Sequence, residues 1–279
     1  MPATTEHNAR VLDQFSQQAE SYAALVNRSG SPLGGPLLEC VHPQVQDRVL
    51  DVGCGSGQLA VSLAPLVAHV TGVDLTPAML QQARALQAKA GVGNVVWMLG
   101  DSRRLPVTDG AFSLVISRSM FHHAADPQGT LAEMRRACAP GGRIAVLDLT
   151  PDPDKALAFD ALELLRDPSH ARALPAEELR ALGTELGLEE IAVRAHCAEL
   201  SYEAVLATSR PPPGVLDRVR EFLARDAARG TDVFGLAARL KDGEVWATYP
   251  MTLVVWRAPG QTKFALPAPD REPRGADEI

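Results

Sequence analysis

From residue 48 onward, short apolar runs alternate with longer segments in which apolar residues recur every three or four positions. The runs RVLDV, HVTGVD, VVWML, AFSLVIS and APGGRIAVLDL have the length and composition of buried strands. Most of the segments between them have the spacing of amphipathic helices. Strands joined by helical crossovers form a parallel sheet that is covered on both faces. The pattern therefore predicts a doubly wound α/β domain.

Turn and capping residues indicate where some of the helices begin and end. An amphipathic helix is predicted over residues 8–26, and SGSPLGGP at 29–36 interrupts the chain after it. In the helix that follows the second strand, Thr76 suits the N-cap, Pro77 the first helical position and Gly91 the C-terminal stop.

The strand and helix alternation changes after Thr150. Two helical insertions are predicted, with LEEIAVRAHCAEL as a sixth strand between them and EVWATYPMTLVVWRA as the closing strand. The end of the chain is rich in proline and charge, which is typical of disorder. We expect an N-terminal helical cap at residues 1–43 and a central domain at 44–258. The central domain contains the two insertions, at about 152–187 and 198–242, and a disordered tail follows at 259–279.

Charge and cysteine content argue against several classes of protein. The 27 basic and 34 acidic residues give a net charge of −7 without an evident basic cluster, so no nucleic-acid partner is expected. Four cysteines without a CxxC pair indicate neither a zinc site nor a disulfide framework, and no metal is expected. No segment approaches the ~18 apolar residues of a membrane span, and the N-terminus lacks an apolar signal core. We expect a cytoplasmic protein without a membrane partner.

The stretch VLDVGCGSGQLA places a glycine-rich turn directly after the first strand. Gly53, Gly55 and Gly57 allow a positive φ and a close approach of the backbone to a ligand. A dinucleotide fingerprint is G-x-G-x-x-G, and Gln58 stands where its third glycine should be. Asp74, at the end of the second strand, suits the ribose of either a dinucleotide or another adenosine cofactor. The turn alone leaves both cofactors open.

Three further groups of residues distinguish between these two possible cofactors. Asp51 precedes the glycines in DVGCGSG, Asp101 follows the third strand in GDSRRLP, and DPQGTLAEMRRACAPGGRIAVLD completes the set. With GVDLTPAML, these motifs closely resemble the class I S-adenosylmethionine-dependent methyltransferases, in particular the small-molecule enzymes of ubiquinone and menaquinone biosynthesis. The resemblance is strong over residues 10–150 and holds in outline beyond them. It implies a Rossmann-like, doubly wound seven-stranded sheet with an antiparallel last strand, plus helical lid insertions.

The resemblance also implies which residues bind S-adenosylmethionine. They are Asp51, Gly53, Gly55, Gly57, Asp74, Leu75, Asp101, Ser102, Ser117 and Tyr22. The glycine backbone and Asp51 would meet the methionine part, Asp74 both ribose hydroxyls and Asp101 the adenine amino group. Leu75 would contact the adenine, and the backbone of Ser102 would donate to its ring.

Two further residues would complete this cofactor site. The carbonyl of Ser117 would reach the methionine amino end, and Tyr22 would close over the cofactor. Simpler roles stay open: core packing for Tyr22, helix–strand packing for Gly57, backbone hydrogen bonds for Asp51 and a turn for Asp101.

Two adjacent histidines are the candidate catalytic residues. His122 and His123 follow the fourth strand, at the ligand-binding edge of an open α/β sheet. Methyl transfer to a hydroxyl requires a proton acceptor near neutral pH, for which imidazole is suited. His123 is favoured because the family often has histidine there, and the alternative is capping or packing. His170 and Asp148 could line the pocket or have structural roles. We do not expect His122, His123 and His170 to bind a metal ion together.

The resemblance therefore implies methyl transfer to a small molecule, aromatic or natural-product-like as is usual in this family. Two other functions stay open. One is a non-methylating enzyme that keeps the cofactor, and the other is a nicotinamide-dependent oxidoreductase, disfavoured by Gln58 and Asp101. SRSMF replaces the D/N-P-P-Y/F motif of enzymes that methylate amino groups of nucleic acids. The sequence specifies neither the substrate, nor the acceptor atom, nor the oligomeric state.

Overall fold

A computed structural model describes residues 2–28 and 34–260. The helices are α1 Pro2–Arg28, α2 Gly34–Val41, α3 Gln58–Leu63, α4 Pro77–Ala90, α5 Pro127–Ala137, α6 Ala156–Arg166, α7 Ala176–Glu185, α8 Tyr202–Leu206 and α9 Val215–Arg229. The strands are β1 Arg48–Val52, β2 His69–Asp74, β3 Val95–Leu99, β4 Phe112–Arg118, β5 Cys138–Leu149, β6 Glu189–Ser201, β7 Arg239–Lys241 and β8 Glu244–Arg257. Short 3-10 helices cover Ala64–Leu66 and Phe121–His123. Of the expected disordered tail, residues 261–279 lie outside the described ranges.

The strands form one sheet in the order β3-β2-β1-β4-β5-β8-β6, with β7 added to β8. Strands β1 to β5 pair in parallel, whereas β8 is antiparallel to both β5 and β6. The predicted α/β fold with an antiparallel last strand is confirmed. The described sheet has 8 strands where seven were expected, because β7 and β8 form an unpredicted hairpin. Its turn is Asp242–Gly243, and both residues have a positive φ, as two-residue hairpin turns require.

Two hydrophobic clusters cover the two faces of the sheet, and β8 shows how they divide. Leu253 and Val255 pack in the cluster that includes residues of α3, α6 and α9. Val254 and Trp256 pack in the other cluster, with residues of α5 and α7. This division follows from the alternation of side chains along a strand. It explains why both faces of the strands are apolar in the sequence.

The local signals gave the limits of α4. It begins at Pro77 after Thr76, and it ends before Gly91, which has a φ of 67°. Helix α1 is longer than the predicted 8–26, since it begins at Pro2 and ends at Arg28. The first insertion contains α6 and α7, and the second contains α8, α9 and β7.

The strand order reverses between β1 and β4, which are both paired in the middle of the sheet. Ligands of open α/β sheets bind beyond the carboxyl ends of the strands at such a reversal. The glycine turn follows β1, Asp74 ends β2, and the paired histidines follow β4. The fold therefore brings the residues that the sequence singled out to one edge of the sheet.

Candidate active site

A cleft with about 1060 Å³ of space, partly open to solvent, lies at this edge. Its walls are the glycine turn, the loops after β2, β3 and β4, and one side of α1. The predicted site residues that line it are Tyr22, Asp51, Gly53, Gly55, Asp74, Leu75, Asp101, Ser102 and His123. Gly57, Ser117 and His122 are not part of its lining.

The glycine turn places Gly55 and Gly57 in different surroundings. Both have a positive φ, of 52° and 82° respectively. No atom lies within 4 Å of the position that a Cβ on Gly55 would take. A Cβ on Gly57 would lie 2.6 Å from the Trp97 ring and 2.8 Å from Cβ of Ala83. Gly55 is therefore open to a ligand, whereas Gly57 permits α4 and β3 to pack against the turn.

Asp74 connects the end of β2 to the glycine turn. Its Oδ2 accepts the N–H of Gly55 at 2.8 Å, and its Oδ1 accepts the N–H of Thr76 at 2.8 Å. Burial raises the pKa of this carboxyl, although these backbone donors oppose the shift. A carboxylate has about four lone-pair sites, so Asp74 can also accept from two ribose hydroxyls.

Asp51 is a buried acid in β1 with an incomplete set of hydrogen bonds. Its Oδ2 has no hydrogen-bond partner. Burial raises the pKa of Asp51 to about 7, the nearby Arg118 opposes this shift, and Asp74 adds to it. Buried polar atoms are nearly always paired, so an unpaired oxygen in a cleft wall indicates a ligand group or water. An ammonium group, directly or through water, fits this position.

Asp101 already has several donors around its carboxylate. The backbone N–H and Nε of Arg103 donate to Oδ1, at 2.9 and 3.2 Å, and Nη2 of Arg103 donates to Oδ2 at 2.6 Å. Nδ2 of Asn8, in α1, donates to Oδ2 at 2.8 Å. These donors hold the pKa of Asp101 below its usual value, although burial opposes them. Asn8 and Arg103 therefore already donate to Oδ2 of Asp101 in the cleft wall.

The two predicted serines differ in their position relative to the cleft. Ser102 lines the cleft, and its Oγ lies 3.3 Å from Oγ1 of Thr130. Ser117 is fully buried in β4 and donates its Oγ–H to the carbonyl of Val52 at 2.9 Å. The residues that follow it, Arg118 and Ser119, line the cleft in its place.

His123 faces the cleft and is surrounded by protein. Its Nδ1 lies 3.0 Å from the carbonyl oxygen of Ser169, and its ring contacts the Phe15 ring edge to face at 5.0 Å. Burial, followed by the neighbouring His122, lowers the pKa of His123 to about 3. The ring is therefore neutral at physiological pH.

His122 faces a second cavity, with about 1140 Å³ of space, partly open to solvent. Its Nδ1 lies 2.6 Å from Oδ1 of Asp148 at the end of β5. Burial disfavours the charged ring, but the charge and hydrogen bond of Asp148 outweigh burial and raise the pKa of His122. The pKa of Asp148 is lowered, because His122 and backbone N–H groups outweigh the burial of the carboxylate.

The cleft and the second cavity adjoin each other. Tyr22, Arg118 and Ser119 line both. Ser119 has a φ of 53°, which is a strained value for a residue with a side chain. Such strain is common at functional sites. Burial raises the pKa of Tyr22, so its phenol is neutral at physiological pH.

The walls of the second cavity come largely from the two insertions and β8. They are mainly apolar, with Leu25, Leu149, Leu200, Val205 and Met251 among the lining residues. Two charged residues of α6 also line it, and Glu163 and Arg166 form a buried ion pair. Tyr249 in β8 donates its O–H to Glu163 at 3.2 Å. None of these contacts was predicted from the sequence.

His170 lies near the other two histidines. Its Nε2 contacts Oδ1 of Asp160 at 2.7 Å, and its ring centroid lies 5.9 Å from that of His122 and 6.5 Å from that of His123. Within residues 2–28 and 34–260, no group of three or more His, Cys, Asp or Glu has an arrangement that could hold a metal ion. In the same part of the chain, no helix is both long and apolar enough to cross a bilayer.

Sequence comparison identifies related proteins. The profile of a family described as "Methyltransferase domain" matches residues 50–146. The Bacillus subtilis (strain 168) protein "Uncharacterized methyltransferase YcgJ" is 32% identical over 171 residues, which are 60% of this chain and 67% of the relative. The crystal structure of YcgJ superposes with a TM-score of 0.73 at 24% identity, covering 81% of this chain and 97% of YcgJ.

Two further matches name a substrate or ligand. "Arsenite methyltransferase" of Halobacterium salinarum is 30% identical over 205 residues, 67% of this chain and 49% of that protein. The structure of a Haemonchus contortus phosphoethanolamine N-methyltransferase, solved with phosphomonomethylethanolamine and S-adenosylhomocysteine, has a TM-score of 0.62 at 17% identity. It covers 89% of this chain and 60% of that one. The chain thus spans about half the length of the arsenite enzyme.

Proposed function

The chain belongs to the class I S-adenosylmethionine-dependent methyltransferases, and we propose that it methylates a small organic acceptor bound in the second cavity. The observation that carries this proposal is the shared wall of the two cavities. Tyr22, Arg118 and Ser119 line both, so a cofactor in the cleft and an acceptor in the second cavity would lie next to each other. Holding two reactants in contact in the right orientation is a large part of catalysis.

The residues of the cleft fit this cofactor. The unpaired Oδ2 of Asp51 suits the amino group, the open side of Gly55 allows a close approach, and Asp74 has acceptor capacity for the ribose. When bound, the cofactor supplies a methyl group on a positively charged sulfur. Asp51, Asp74 and the glycine backbone would hold it, while Tyr22 and Phe15 of α1 would exclude water from the cleft.

The walls of the second cavity favour an acceptor with an apolar body and few polar groups, such as an aromatic or natural-product-like molecule. Apolar pockets with a small number of polar residues are typical of such ligands. The net charge of −7 supports a small molecule over a nucleic acid. An arsenite acceptor is less well supported, because soft centres favour several thiolates. Cys197 is the cysteine that lines the second cavity, and Cys54 lies in the cleft.

The experiment combines the purified protein with methyl-deuterated S-adenosylmethionine and a panel of phenols, hydroxyquinones and related aromatics. Mass spectrometry should detect an acceptor that carries the labelled methyl group, together with S-adenosylhomocysteine. Binding of S-adenosylhomocysteine without a labelled product from any acceptor would favour the non-methylating alternative. Binding of NADH or NADPH would favour the oxidoreductase.

A pair of variants tests the location of the acceptor. Leu200→Trp should fill part of the second cavity and abolish the labelled product, while S-adenosylhomocysteine still binds. Leu240→Trp is the matched control, since Leu240 in β7 is 57% exposed and lies outside both cavities. Equal product from both variants would contradict acceptor binding in the second cavity.

A further inference from the structure

The loop after β4 directs two adjacent histidines into two different cavities. His122 lines the second cavity and His123 lines the cleft, although their ring centroids are 4.2 Å apart. The loop is closely packed, because a Cβ on Gly53 would lie 2.4 Å from Cγ of Met120. The segment that carries the two histidines therefore packs against the glycine turn through Met120.

Asp148 fixes the orientation of His122. Its Oδ2 accepts the N–H groups of Met120 at 2.8 Å and Phe121 at 2.7 Å, and its Oδ1 accepts the N–H of Leu149 at 2.8 Å. Nδ1 of His122 contacts the same Oδ1 at 2.6 Å. An ionised carboxylate only accepts hydrogen bonds, so Nδ1 carries a hydrogen. The nitrogen that meets a molecule in the second cavity is Nε2, which is a proton acceptor in the neutral ring.

His123 has the same kind of hydrogen bond but a different environment. Its Nδ1 faces the carbonyl of Ser169, which is neutral and cannot stabilise an imidazolium as a carboxylate does. It also lies on the cleft side, away from the proposed acceptor. Burial and the neighbouring His122 therefore make His123 a weak base by lowering its pKa, in contrast to His122.

The charges around His122 come from several elements. Acidic groups predominate, and they favour the protonated ring despite its burial. The titratable and charged neighbours are Asp148 in β5, Glu163 in α6, Asp167 after α6, Arg118 at the end of β4, His123 and His170. Arg166 is paired with Glu163, which reduces the effect of both on the ring.

We propose that His122 accepts the proton of the acceptor's reacting hydroxyl, and that Asp148 is the positioning residue that holds the ring for this step. The hydroxyl oxygen forms a bond to the methyl carbon, the carbon–sulfur bond breaks, and its electron pair stays on sulfur. The hydroxyl proton passes to Nε2 of His122, and the imidazolium is stabilised by Asp148 until it releases the proton to water. This proposal rests on the proposed function and restricts the acceptor to molecules with an acidic hydroxyl, such as phenols or enols.

The first test is an NMR titration of the histidine rings in the full chain, without any acceptor. His122 should titrate above 6.5, and His123 should stay neutral from pH 5 to 9. The resonances are assigned with His122→Gln, His123→Gln and His69→Gln. In Asp148→Asn the pKa of His122 should fall by about one to three units, because an opposite charge is removed. A wild-type His122 that titrates below 6.5 would overturn the proposal, and this pKa is read from the wild-type spectrum once its resonance has been assigned.

The second test is kinetic and uses a phenol found by the acceptor screen. His122→Gln should lower kcat by about 10² to 10⁴-fold, the usual contribution of a general base. The affinity for S-adenosylhomocysteine should stay within threefold of wild type, because His122 lies outside the cleft. His69→Gln is the matched control, since His69 begins β2 at the opposite edge of the sheet. A kcat for His122→Gln within threefold of wild type would overturn the role.

The pH profile of kcat/KM distinguishes between positioning of His122 by Asp148 and a merely structural role of Asp148. Wild-type kcat/KM should rise with pH and level off above the pKa of His122. In Asp148→Asn this rise should move to lower pH while the plateau falls. A lowered plateau with an unmoved rise would contradict positioning by Asp148. Failure of the proposed function itself would look different, because the wild type would yield no methylated product while the NMR result stayed the same.

Discussion

Both carboxylate oxygens of Asp74 accept a backbone N–H, whereas Oδ2 of Asp51, in the adjacent strand, has no hydrogen-bond partner. The two acids line the same cleft, where Asp51 is buried and Asp74 is half-buried. Asp74 therefore maintains the shape of the turn, while Asp51 is the acid whose hydrogen bonds a ligand can complete. Two acids in one cleft favour a ligand that brings positive charge.

The protonation of Asp51 predicts a pH dependence of binding. Its pKa is about 7 in the free protein, and an ammonium group of the ligand would lower it. Asp51 must therefore lose a proton on binding at acidic pH, and affinity for S-adenosylhomocysteine should fall as pH drops below 7. The expected slope approaches about tenfold per pH unit, as for one proton.

Calorimetry between about pH 5.5 and 7, where an α-amino group stays protonated, measures this slope. Asp51→Asn should bind more weakly and show no such dependence. Asp109→Asn is the control, because Asp109 has an exposed side chain and contacts Arg136. Equal slopes in wild type and Asp51→Asn would contradict the assignment.

The glycine turn predicts different outcomes for two alanine substitutions. Gly57→Ala should lower the free energy of unfolding by more than about 2 kcal/mol, since a left-handed residue with a Cβ costs about 1–2 kcal/mol and overpacking adds to it. Gly55→Ala meets open space, so it should cost about 1 kcal/mol but hinder the ligand. Denaturant unfolding and calorimetry with S-adenosylhomocysteine separate the two effects. Similar stability losses for both variants would show that the packing around Gly57 is looser than described.

The lowered pKa of His123 predicts that this residue destabilises the folded protein in acid. Its pKa is about 3 in the folded protein, against an ordinary 6.5. The unfolded chain therefore binds a proton that the folded chain rejects, and the contribution of His123 to stability falls as pH drops from 6.5 towards 3, whereas the raised pKa of Asp51 acts in the opposite sense. The expected slope is about 1.4 kcal/mol per pH unit. His122 does not obscure this effect, because its raised pKa contributes stability that is complete below 6.5 and is lost as pH rises through its folded value.

Urea unfolding of wild type and His123→Gln at several pH values from 4.5 to 6.5 checks this prediction. The variant lacks the titrating group, so the difference in unfolding free energy between the two proteins should change by about 1.4 kcal/mol per pH unit. A constant difference across this range would mean that His123 does not resist protonation in the folded protein.

Local signals in the sequence were sufficient for strands β1 to β6 and β8, and for the edge of the sheet at which the candidate site lies. Thr76, Pro77 and Gly91 gave the limits of α4, because capping depends on neighbouring residues alone. The alternation of strands and helices placed Asp74 and the two histidines at the same edge of the sheet. The different surroundings of His122 and His123 could not be predicted, since they depend on contacts with Asp148 and Ser169 from other parts of the chain.

Other features depend on contacts between distant segments. Glu163 and Arg166 have the spacing of an ordinary surface pair on a helix, and they are buried because Tyr249 and Ser209 cover them. Asn8 reaches Asp101 across 93 positions of sequence. The cleft could therefore be located from sequence motifs, whereas the walls of the second cavity could not.

The most direct measurement of the central claim is a calorimetric titration of wild type and Asp74→Ala with S-adenosylhomocysteine, NADH and NADPH. Wild type should bind S-adenosylhomocysteine alone, in the micromolar range. Asp74→Ala should bind it about 100-fold more weakly, because it loses two charge-assisted hydrogen bonds to the ribose. Binding of a nicotinamide nucleotide by wild type, or an unchanged affinity in Asp74→Ala, would contradict the cofactor site described above.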